Sequence, residues 1–373
     1  MAITQISASD AQAVKLFSKM LFRESLGYTQ FFKKLLGDTK ESVLYWKRDL
    51  EKTAGDQIKY DLLLDLVDEG KTGSDLIERN TEALQYKQDA VLIDQQRFGT
   101  GYTRMSEQRS LHDFRNDSKD ALKVRFGKWF DYSMFRMFGG DTTFNFAGNT
   151  GTLPDAYHYY MCGDVTVGDG SGTIEDDEAL ISNNDQIVLQ DLDHMKEKAL
   201  TAGTNAMRPV RIEGEDYLVL FLHPYCFTDL RTNVTSSTNT TWMDIQMYAN
   251  RRGLKNPIFT GAEGVYNGII IYQTKDVYSP LAVSTTGRVY RNVLLGAQAG
   301  CFATGNPNGK MMNKMLGKDL PMSWSEESYD HGDKMEVVAG IVCGFKKARF
   351  ADHAGTTRDY GCLVASAYSA NRS

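Results

Sequence analysis

Two segments of this 373-residue chain partly match the phosphate-binding loop of nucleotide-binding enzymes, and neither matches it completely. Such a loop reads GxxxxGK followed by Ser or Thr, because backbone amides hold the phosphates and the hydroxyl binds magnesium. The Gly-Lys-Thr sequence at 70–72 has Asp65 where the first glycine belongs. The stretch 305–310 is one residue short and is followed by Met311. No nucleotide site is therefore predicted.

Nucleophilic and metal-binding patterns are also incomplete. The GxSxG turn that presents a serine nucleophile does not occur. The six histidines include no HxxxH pair, the spacing at which two imidazoles on one helix face bind zinc. The acidic run at 175–178 offers the carboxylates that hard cations prefer, but it lacks the spaced order of a calcium loop and is predicted to be a solvated face. No catalytic, cofactor-binding or metal-binding residues are predicted.

The composition indicates a folded chain without a disulfide framework or a membrane span. Hydrophobic residues make up 42% of the chain and charged residues 24%, as in globular proteins. Five widely spaced cysteines, without a CxxC pair, are predicted to be buried free thiols. The longest apolar run, 217–222, is far shorter than a bilayer span, and the N-terminus lacks a signal-peptide pattern. We therefore expect a cytosolic protein that makes no membrane contact.

Charge is concentrated in two segments. Residues 1–50 carry a net charge of +3, whereas residues 164–193 contain nine acids and no base. A specific DNA-binding protein would gather Lys and Arg on one face, so tight nucleic-acid binding is disfavoured. Weak phosphate contact stays open for the basic residues of the N-terminal segment, although solubility is their commoner role: Lys15, Lys19, Arg23, Lys33 and Lys34. The acidic segment at 164–185 is expected to be exposed and dispensable for folding.

The N-terminal segment is predicted to form two short helices. A capping-box sequence at 9–12 precedes apolar residues at helical spacing, Val14, Phe17 and Leu21. A second helix at 29–36 ends at Gly37, where glycine can adopt the left-handed conformation that closes a helix. Together they form an arm that needs a surface to lie on.

Residues 56–98 change to a period of two, which is typical of half-buried strands. Polar, glycine-containing sequence at 68–74 separates the two runs and predicts a loose hairpin tip. A two-stranded hairpin is marginal in water unless another surface covers it. Its alternating apolar residues are Ile58, Tyr60, Leu62, Leu64 and Leu66 on the first strand and Leu84 and Tyr86 on the second.

From Ser106 the apolar spacing returns to three or four residues until the Gly139-Gly140 pair, which predicts a helix of about thirty residues. Its second half is apolar nearly all round and is expected to lie between layers. Residues 141–205 are interpreted as an insertion that ends in a helix at 188–201. Strands are predicted at 217–222, 268–274 and 289–295, a short helix at 242–252, and a strand pair at 335–345 and 360–368. The class is α+β.

Several segments, taken in order, resemble the major capsid proteins of short-tailed bacteriophages, which share the Hong Kong 97-type capsid fold with encapsulins. The resemblance covers nearly the whole chain, and no single motif would suffice alone. The segments are Phe32-Lys-Lys-Leu-Leu-Gly37, Gly55-Asp-Gln-Ile58, Ile93-Asp-Gln95, Arg104-Met-Ser-Glu-Gln-Arg109, Leu294-Leu-Gly-Ala-Gln-Ala-Gly300, Trp324-Ser-Glu-Glu327 and Asp330-His-Gly332.

The resemblance implies a division of the chain that agrees with the order of predicted elements. It gives an N-terminal arm (1–37), an extended β-hairpin loop (38–105), the spine helix of a peripheral domain (106–140), an insertion with its connecting helix (141–205), an axial domain (206–330) and C-terminal strands (331–373). The implied function is a structural one. Copies would assemble as hexamers and pentamers into the icosahedral shell of a virion, after synthesis in the host cytoplasm.

The arm and the hairpin are expected to contact neighbouring subunits, through Val14, Phe17, Leu21, Ile58, Tyr60, Leu62, Leu64, Leu66, Leu84 and Tyr86. Scaffold, portal and decoration proteins are candidate partners, and packaged DNA is a weak, non-specific one. Two alternatives stay open. One is an encapsulin-like nanocompartment shell, and the other is a cytosolic enzyme with an unrecognised site.

Overall fold

A computed structural model describes residues 81–163, 173–201, 206–212, 214–232, 264–281, 287–306, 322–352 and 354–370 without a break. Nearer the N-terminus it describes 35–39, 41–50, 55–64 and the single residues 21, 24, 25, 29, 66, 68, 70, 72 and 78. Val14, Phe17 and the predicted helix at 242–252 lie outside the described residues. So does most of the predicted arm.

The described residues form strands and helices in mixed order. The helices are α1 (Arg104–Arg109), α2 (Phe114–Phe138), α3 (Ile174–Glu178), α4 (Leu189–Thr201) and α5 (Pro224–Thr232). The strands are β1 (Leu36–Gly37), β2 (Leu44–Leu50), β3 (Gln57–Leu63), β4 (Tyr86–Leu92), β5 (Asp94–Thr103), β6 (Asn145–Phe146), β7 (Asn149–Thr150), β8 (Tyr159–Met161), β9 (Val210–Ile212), β10 (Glu215–Leu222), β11 (Gly264–Tyr266), β12 (Ile269–Gln273), β13 (Gly287–Leu295), β14 (Gly300–Gly305), β15 (Ser323–Tyr329), β16 (Lys334–Lys347), β17 (Arg349–Ala351), β18 (Thr357–Asp359) and β19 (Cys362–Ala370).

The first sheet is built around β16, a strand of 14 residues. One edge of β16 pairs with β15 along its first half and with β14 along its last residues, while the other edge pairs with β5 over ten residues. Strand β2 continues the sheet beyond β14 in parallel. The short strand β1 holds Gly37, which was predicted to close a helix and instead pairs with Tyr45.

The second sheet runs in the order β11, β12, β10, β13, β19, β8. Strand β10 is buried from Leu218 to its end, which confirms the strand predicted at 217–222. Strands β12 and β13 likewise confirm the runs predicted at 268–274 and 289–295. The predicted pairing of 335–345 with 360–368 is wrong, because β16 belongs to the first sheet and β19 pairs with β13 and β8. Strand β19 is buried on both faces and β16 is at least half-buried on both over most of its length, so their apolar pattern does not select a partner.

The long helix is interrupted, so the predicted continuous helix of about thirty residues is wrong. Helix α1 ends at Ser110, and α2 begins after Asp113, whose Oδ1 accepts hydrogen bonds from the backbone N–H groups of Arg115 and Asn116 at 3.1 and 3.2 Å. This N-cap satisfies amides that the first turn leaves unpaired. Helix α2 has 25 residues, a length of about 37 Å. It ends at Gly139, and Gly140 follows with φ +73°.

The second half of α2 lies between the two sheets, as the sequence predicted. The Phe130 ring lies 6.0 Å from Phe302 of the first sheet, and the Phe135 ring lies 5.3 Å from Phe221 of the second. Both contacts have the edge-to-face geometry that aromatic rings prefer. Tyr132, which is 45% exposed, and Lys128 face solvent on this half of the helix. One helix therefore supplies core residues to both sheets.

The acidic insertion is partly packed where it is described, so the expectation that all of it is exposed is wrong. Its residues 164–172 lie outside the described part, but Asp177 and Asp185 are buried. Glu178, at the end of α3, is 1% exposed. A buried carboxylate is tolerated here because the Arg291 guanidinium binds it through two hydrogen bonds of 2.7 Å. Helix α4 confirms the helix predicted at 188–201.

The cysteine side chains lie in the interior of the subunit. All five cysteines are buried and free, as predicted. Burial raises the pKa of the Cys226 and Cys362 thiols to about 12. Within the described ranges, no helix is both long and apolar enough to cross a bilayer.

Candidate assembly surface of the hairpin

The hairpin predicted near residues 56–98 is formed by β3 and β4. Their antiparallel ladder runs from Gln57 opposite Leu92 to Leu63 opposite Tyr86. One further backbone hydrogen bond, from the Leu64 N–H to the Gln85 carbonyl at 3.0 Å, extends it towards the tip. The ladder is shorter than predicted, because the chain enters the first sheet at the start of β5. Leu66 and Leu84 therefore lie beyond the paired strands.

The inner face of the hairpin packs on its own subunit. Ile58 is 3% exposed and lies in a cluster with Leu50 and Val91. Leu62 is half-buried against a second cluster that contains Phe350 and Tyr360. The alternation seen in the sequence thus marks a face that the same chain covers. Ile58 is consequently not available to a neighbouring subunit.

Contacts of Tyr60 and Asp89 hold the inner face to β16 of the first sheet and to β17. The Tyr60 hydroxyl donates to Asp89 Oδ2 at 2.7 Å across the hairpin. The Lys346 ammonium on β16 forms an ion pair with Asp89 Oδ1. The Tyr60 ring meets Phe350 edge-on at 5.5 Å. Burial, followed by the negative charge of Asp89, raises the pKa of Tyr60 well above its ordinary value, so the phenol stays a donor.

The outer face and the end of the hairpin leave large apolar side chains in solvent. We define the hairpin tip patch as Leu63, Leu66, Leu84 and Tyr86, which are 44%, 60%, 59% and 61% exposed. Leu63 and Tyr86 face each other across the ladder. Leu63 was missed in the sequence because strict alternation assigns it to the polar face. The Leu62-Leu63-Leu64 run was the available signal, since it gives both faces an apolar residue. Leu64 is half-buried.

A cavity of about 160 Å³ lies between the base of the hairpin and the first sheet. Tyr45, Leu62 and Phe350 give it apolar walls, and Lys47 and Asp61 are its charged lining residues. Across the described part of the chain, no group of three His, Cys, Asp or Glu side chains is placed to hold a metal ion.

Of the three arm residues, Leu21 alone lies within the described residues. It is 0% exposed and belongs to the main core that contains α2. Nearby, the Lys123 ammonium on α2 pairs with Glu24 at 3.1 Å. Leu21 is therefore covered by its own subunit.

The chain matches a model of a known protein family along almost its entire length. The family is described as phage capsid protein, and the match covers residues 5–371. The chain belongs to the phage capsid protein family. A relative of this capsid protein, the major capsid protein of Pseudomonas phage KPP25, is 25% identical over 89% of both chains.

Solved capsids share the fold of this capsid protein. The capsid of Ralstonia phage GP4 superposes with a TM-score of 0.75 at 26% identity and covers 92% of both chains. The capsid of cyanophage Pam1 gives a TM-score of 0.72 at 18% identity over 92% of this chain and 93% of the other. The chain thus has the α+β, Hong Kong 97-type capsid fold expected from the sequence. Its function is that of a major capsid protein, and the nanocompartment alternative is not favoured.

Proposed function

We propose that this capsid protein assembles into hexamers and pentamers in which the hairpin tip patch of each subunit is covered by a neighbour. The observation that carries the proposal is the exposure of Leu63, Leu66, Leu84 and Tyr86. Fully burying a side chain of this size contributes about 1.5 to 3 kcal/mol, and because these four are about half exposed, covering them contributes roughly half of that each. Leu64 lies beside them and contributes its exposed part.

One part of the hairpin contacts its own subunit and the other contacts a neighbour. The paired strands are held to their own subunit through Tyr60 and Leu62, while the hairpin tip patch lies at the last pair of the ladder and beyond it. The tip of one subunit meets a different surface on the next, so the contact is heterologous, the type of contact that builds a ring where the rotation between subunits closes. A subunit that engages several neighbours at once is released only when all contacts open together.

Further partners follow from the role of a shell component. Subunits are made and assembled in the host cytoplasm, and scaffold, portal and decoration proteins contact the finished or growing shell. The basic residues of the N-terminal segment support weak contact with packaged DNA through phosphates, without sequence preference. The role is structural and involves no catalytic step.

The experiment replaces Leu66 and Leu84 by Asp in one variant. Neither residue belongs to the β3–β4 ladder, so we expect folded subunits by circular dichroism that sediment as small species under conditions in which the parent forms shells. Leu180→Asp is the matched control, since Leu180 is also 65% exposed but lies in the insertion. Shells of normal size and yield from the double variant would contradict the proposal.

A further inference from the structure

The solvent-facing side of α2 carries basic and aromatic side chains in the second half of the helix. Arg125, Lys128, Tyr132 and Arg136 follow one another at intervals of three or four residues, so they lie on one face. Arg125 and Lys128 are exposed, and Arg136 is half-buried. Asp131, the one acid of this stretch, is buried. The exposed charges of this face are therefore all positive.

Lys275 extends the positive charge beyond the helix. It is exposed and lies in the turn that follows β12. Burial raises the pKa of the Asp276 carboxyl, and the charges of Lys275 and Lys128 lower it in part, so both ammonium groups lie near this carboxyl. We define the basic stripe as Arg125, Lys128, Tyr132, Arg136 and Lys275.

Three cations of the basic stripe are available to an outside partner. In the part of the chain that the structure describes, Arg125, Lys128 and Lys275 form no ion pair. The Arg125 guanidinium lies 5.0 Å from the centre of the Phe98 ring, a contact that positions its charge without neutralising it. These charges gain most from a partner that carries negative charge.

Arg136 has a different part in the basic stripe. Its guanidinium binds Asp141 Oδ2 at 2.6 Å, so its charge is neutralised within the subunit. The same guanidinium lies 4.6 Å from the centre of the Tyr132 ring. This cation–π contact holds the ring at the surface, where the Tyr132 side chain is 45% exposed.

The residue types of the basic stripe favour a phosphate backbone over a protein surface. Lysine is depleted at the centres of protein interfaces, whereas Lys, Arg and Tyr side chains are common contacts of DNA phosphates. Positions 125 to 132 span about 10 Å along the helix axis, which is the length of about three phosphates on one strand of duplex DNA. The whole chain has a net charge of −6, so a face with positive charge alone is distinct from the average surface.

We propose that the basic stripe is the surface through which the subunit contacts packaged duplex DNA. Arg125, Lys128 and Lys275 face phosphate oxygens, and the Tyr132 hydroxyl donates a hydrogen bond to another. The contact reads no base sequence, because phosphates are the same at every position. One stripe binds weakly, but the many copies in a shell hold the same DNA at once. The inference rests on the proposed function, because only a shell that encloses DNA brings the two together.

The first test compares the reactivity of lysines in DNA-filled heads and in heads emptied of DNA. A phosphate covers the ammonium group and favours its charged form, whereas acetylation requires the neutral amine. Lys128 and Lys275 should therefore react with acetic anhydride at least about fivefold more slowly in filled heads, as measured by peptide mass spectrometry. Lys59, which is exposed on the hairpin, is the control and should react at the same rate in both.

Three results of this comparison would overturn the proposal. Equal, fast acetylation of Lys128 and Lys275 in filled and emptied heads would show that DNA does not cover them. Slow acetylation in both would show that the shell itself covers the basic stripe. Protection in precursor shells that hold scaffold, with none in filled heads, would assign the basic stripe to a protein partner.

The second test removes two cations and follows the third. In filled heads with Arg125→Gln and Lys128→Gln, Lys275 should be acetylated at least about twice as fast as in the parent, because fewer cations hold the same phosphates. Lys59→Gln with Arg97→Gln removes two exposed cations elsewhere and should leave Lys275 at the parent rate. An unchanged rate in the first variant, or an equal rise in the second, would contradict a shared phosphate contact.

The proposed self-assembly and the DNA contact fail in different ways. A parent protein that forms no shells would contradict the proposed function and, with it, this contact. Shells that package DNA while Lys128 and Lys275 react as fast as in emptied heads would leave self-assembly standing and overturn the DNA contact alone.

Discussion

Arg291 and Glu178 form a buried, bidentate ion pair, and hydrogen bonds to this pair connect four segments of the subunit. The guanidinium also donates to the carbonyls of Gly139 and Gly140 at the end of α2, each at 3.0 Å. The Ser366 hydroxyl on β19 donates to Glu178 Oε1 at 2.6 Å. One buried polar cluster thus connects the end of α2, the insertion and strands β13 and β19 of the second sheet.

Removal of the charge on Glu178 should strongly destabilise the subunit. Glu178→Gln leaves the Arg291 guanidinium buried without a counter-ion, which costs about 3 to 5 kcal/mol. The free energy of unfolding in urea measures the effect. Glu175→Gln is the control, because Glu175 lies on the same short helix but is exposed, and its change should stay within about 0.5 kcal/mol. Equal losses in the two variants would show that Arg291 does not depend on its partner.

The N-cap of α2 should contribute measurably to stability. Asp113→Ala removes the acceptor for two backbone amides and should lower the free energy of unfolding by about 0.5 to 2 kcal/mol. Asp113→Asn keeps a side-chain oxygen at the same place and should lose far less. Thermal denaturation of both variants distinguishes the cap from a general effect of charge. If the asparagine variant lost as much as the alanine variant, the hydrogen bonds would not be the cause.

Protonation of Asp155 should destabilise the subunit in acid. Burial alone would raise the pKa of Asp155, but the hydrogen bond and charge of His158 and the backbone N–H groups of Asp359 and His158 lower it to about 2. A carboxylate with a depressed pKa adds stability above its unfolded pKa and loses it as the pH falls through the folded value. The loss should therefore fall between about pH 4 and pH 2.

Urea unfolding at pH 5 and at pH 2.5 measures this contribution, which is about 2 kcal/mol. Asp155→Asn should be less stable than the parent at the higher pH and should show a smaller drop between the two. Asp56→Asn, at an exposed position, is the control and should follow the parent. A parent-like acid response in Asp155→Asn would assign the loss to other groups.

Local patterns in the sequence identified most elements of the fold but not their partners. The strands around Leu220 and Val293 and the helix around Met195 follow from their apolar spacing. The break before Phe114 was missed because Leu111 continues the apolar sequence while its side chain points into solvent. The exposed helix segment at 104–109 was seen only as a family motif.

The hairpin was predicted from the sequence, but the face that its own subunit covers was not. The expected contact residues included Leu66, Leu84 and Tyr86, which are exposed, but also Ile58, which its own subunit buries, and Leu62, which is half-buried. Alternation shows that one face is apolar and does not show what covers it. The burial of Glu178 depends on an arginine 113 residues away, which no local pattern reveals.

The attachment of the hairpin base also has a mechanical consequence. Lys346, which holds Asp89, belongs to β16, and β16 has ladders with β5, β14 and β15. Force applied to the hairpin therefore reaches β16. This strand can move only if its hydrogen bonds to three neighbouring strands break. A load on the hairpin is therefore shared among many hydrogen bonds rather than carried by the Lys346–Asp89 ion pair alone.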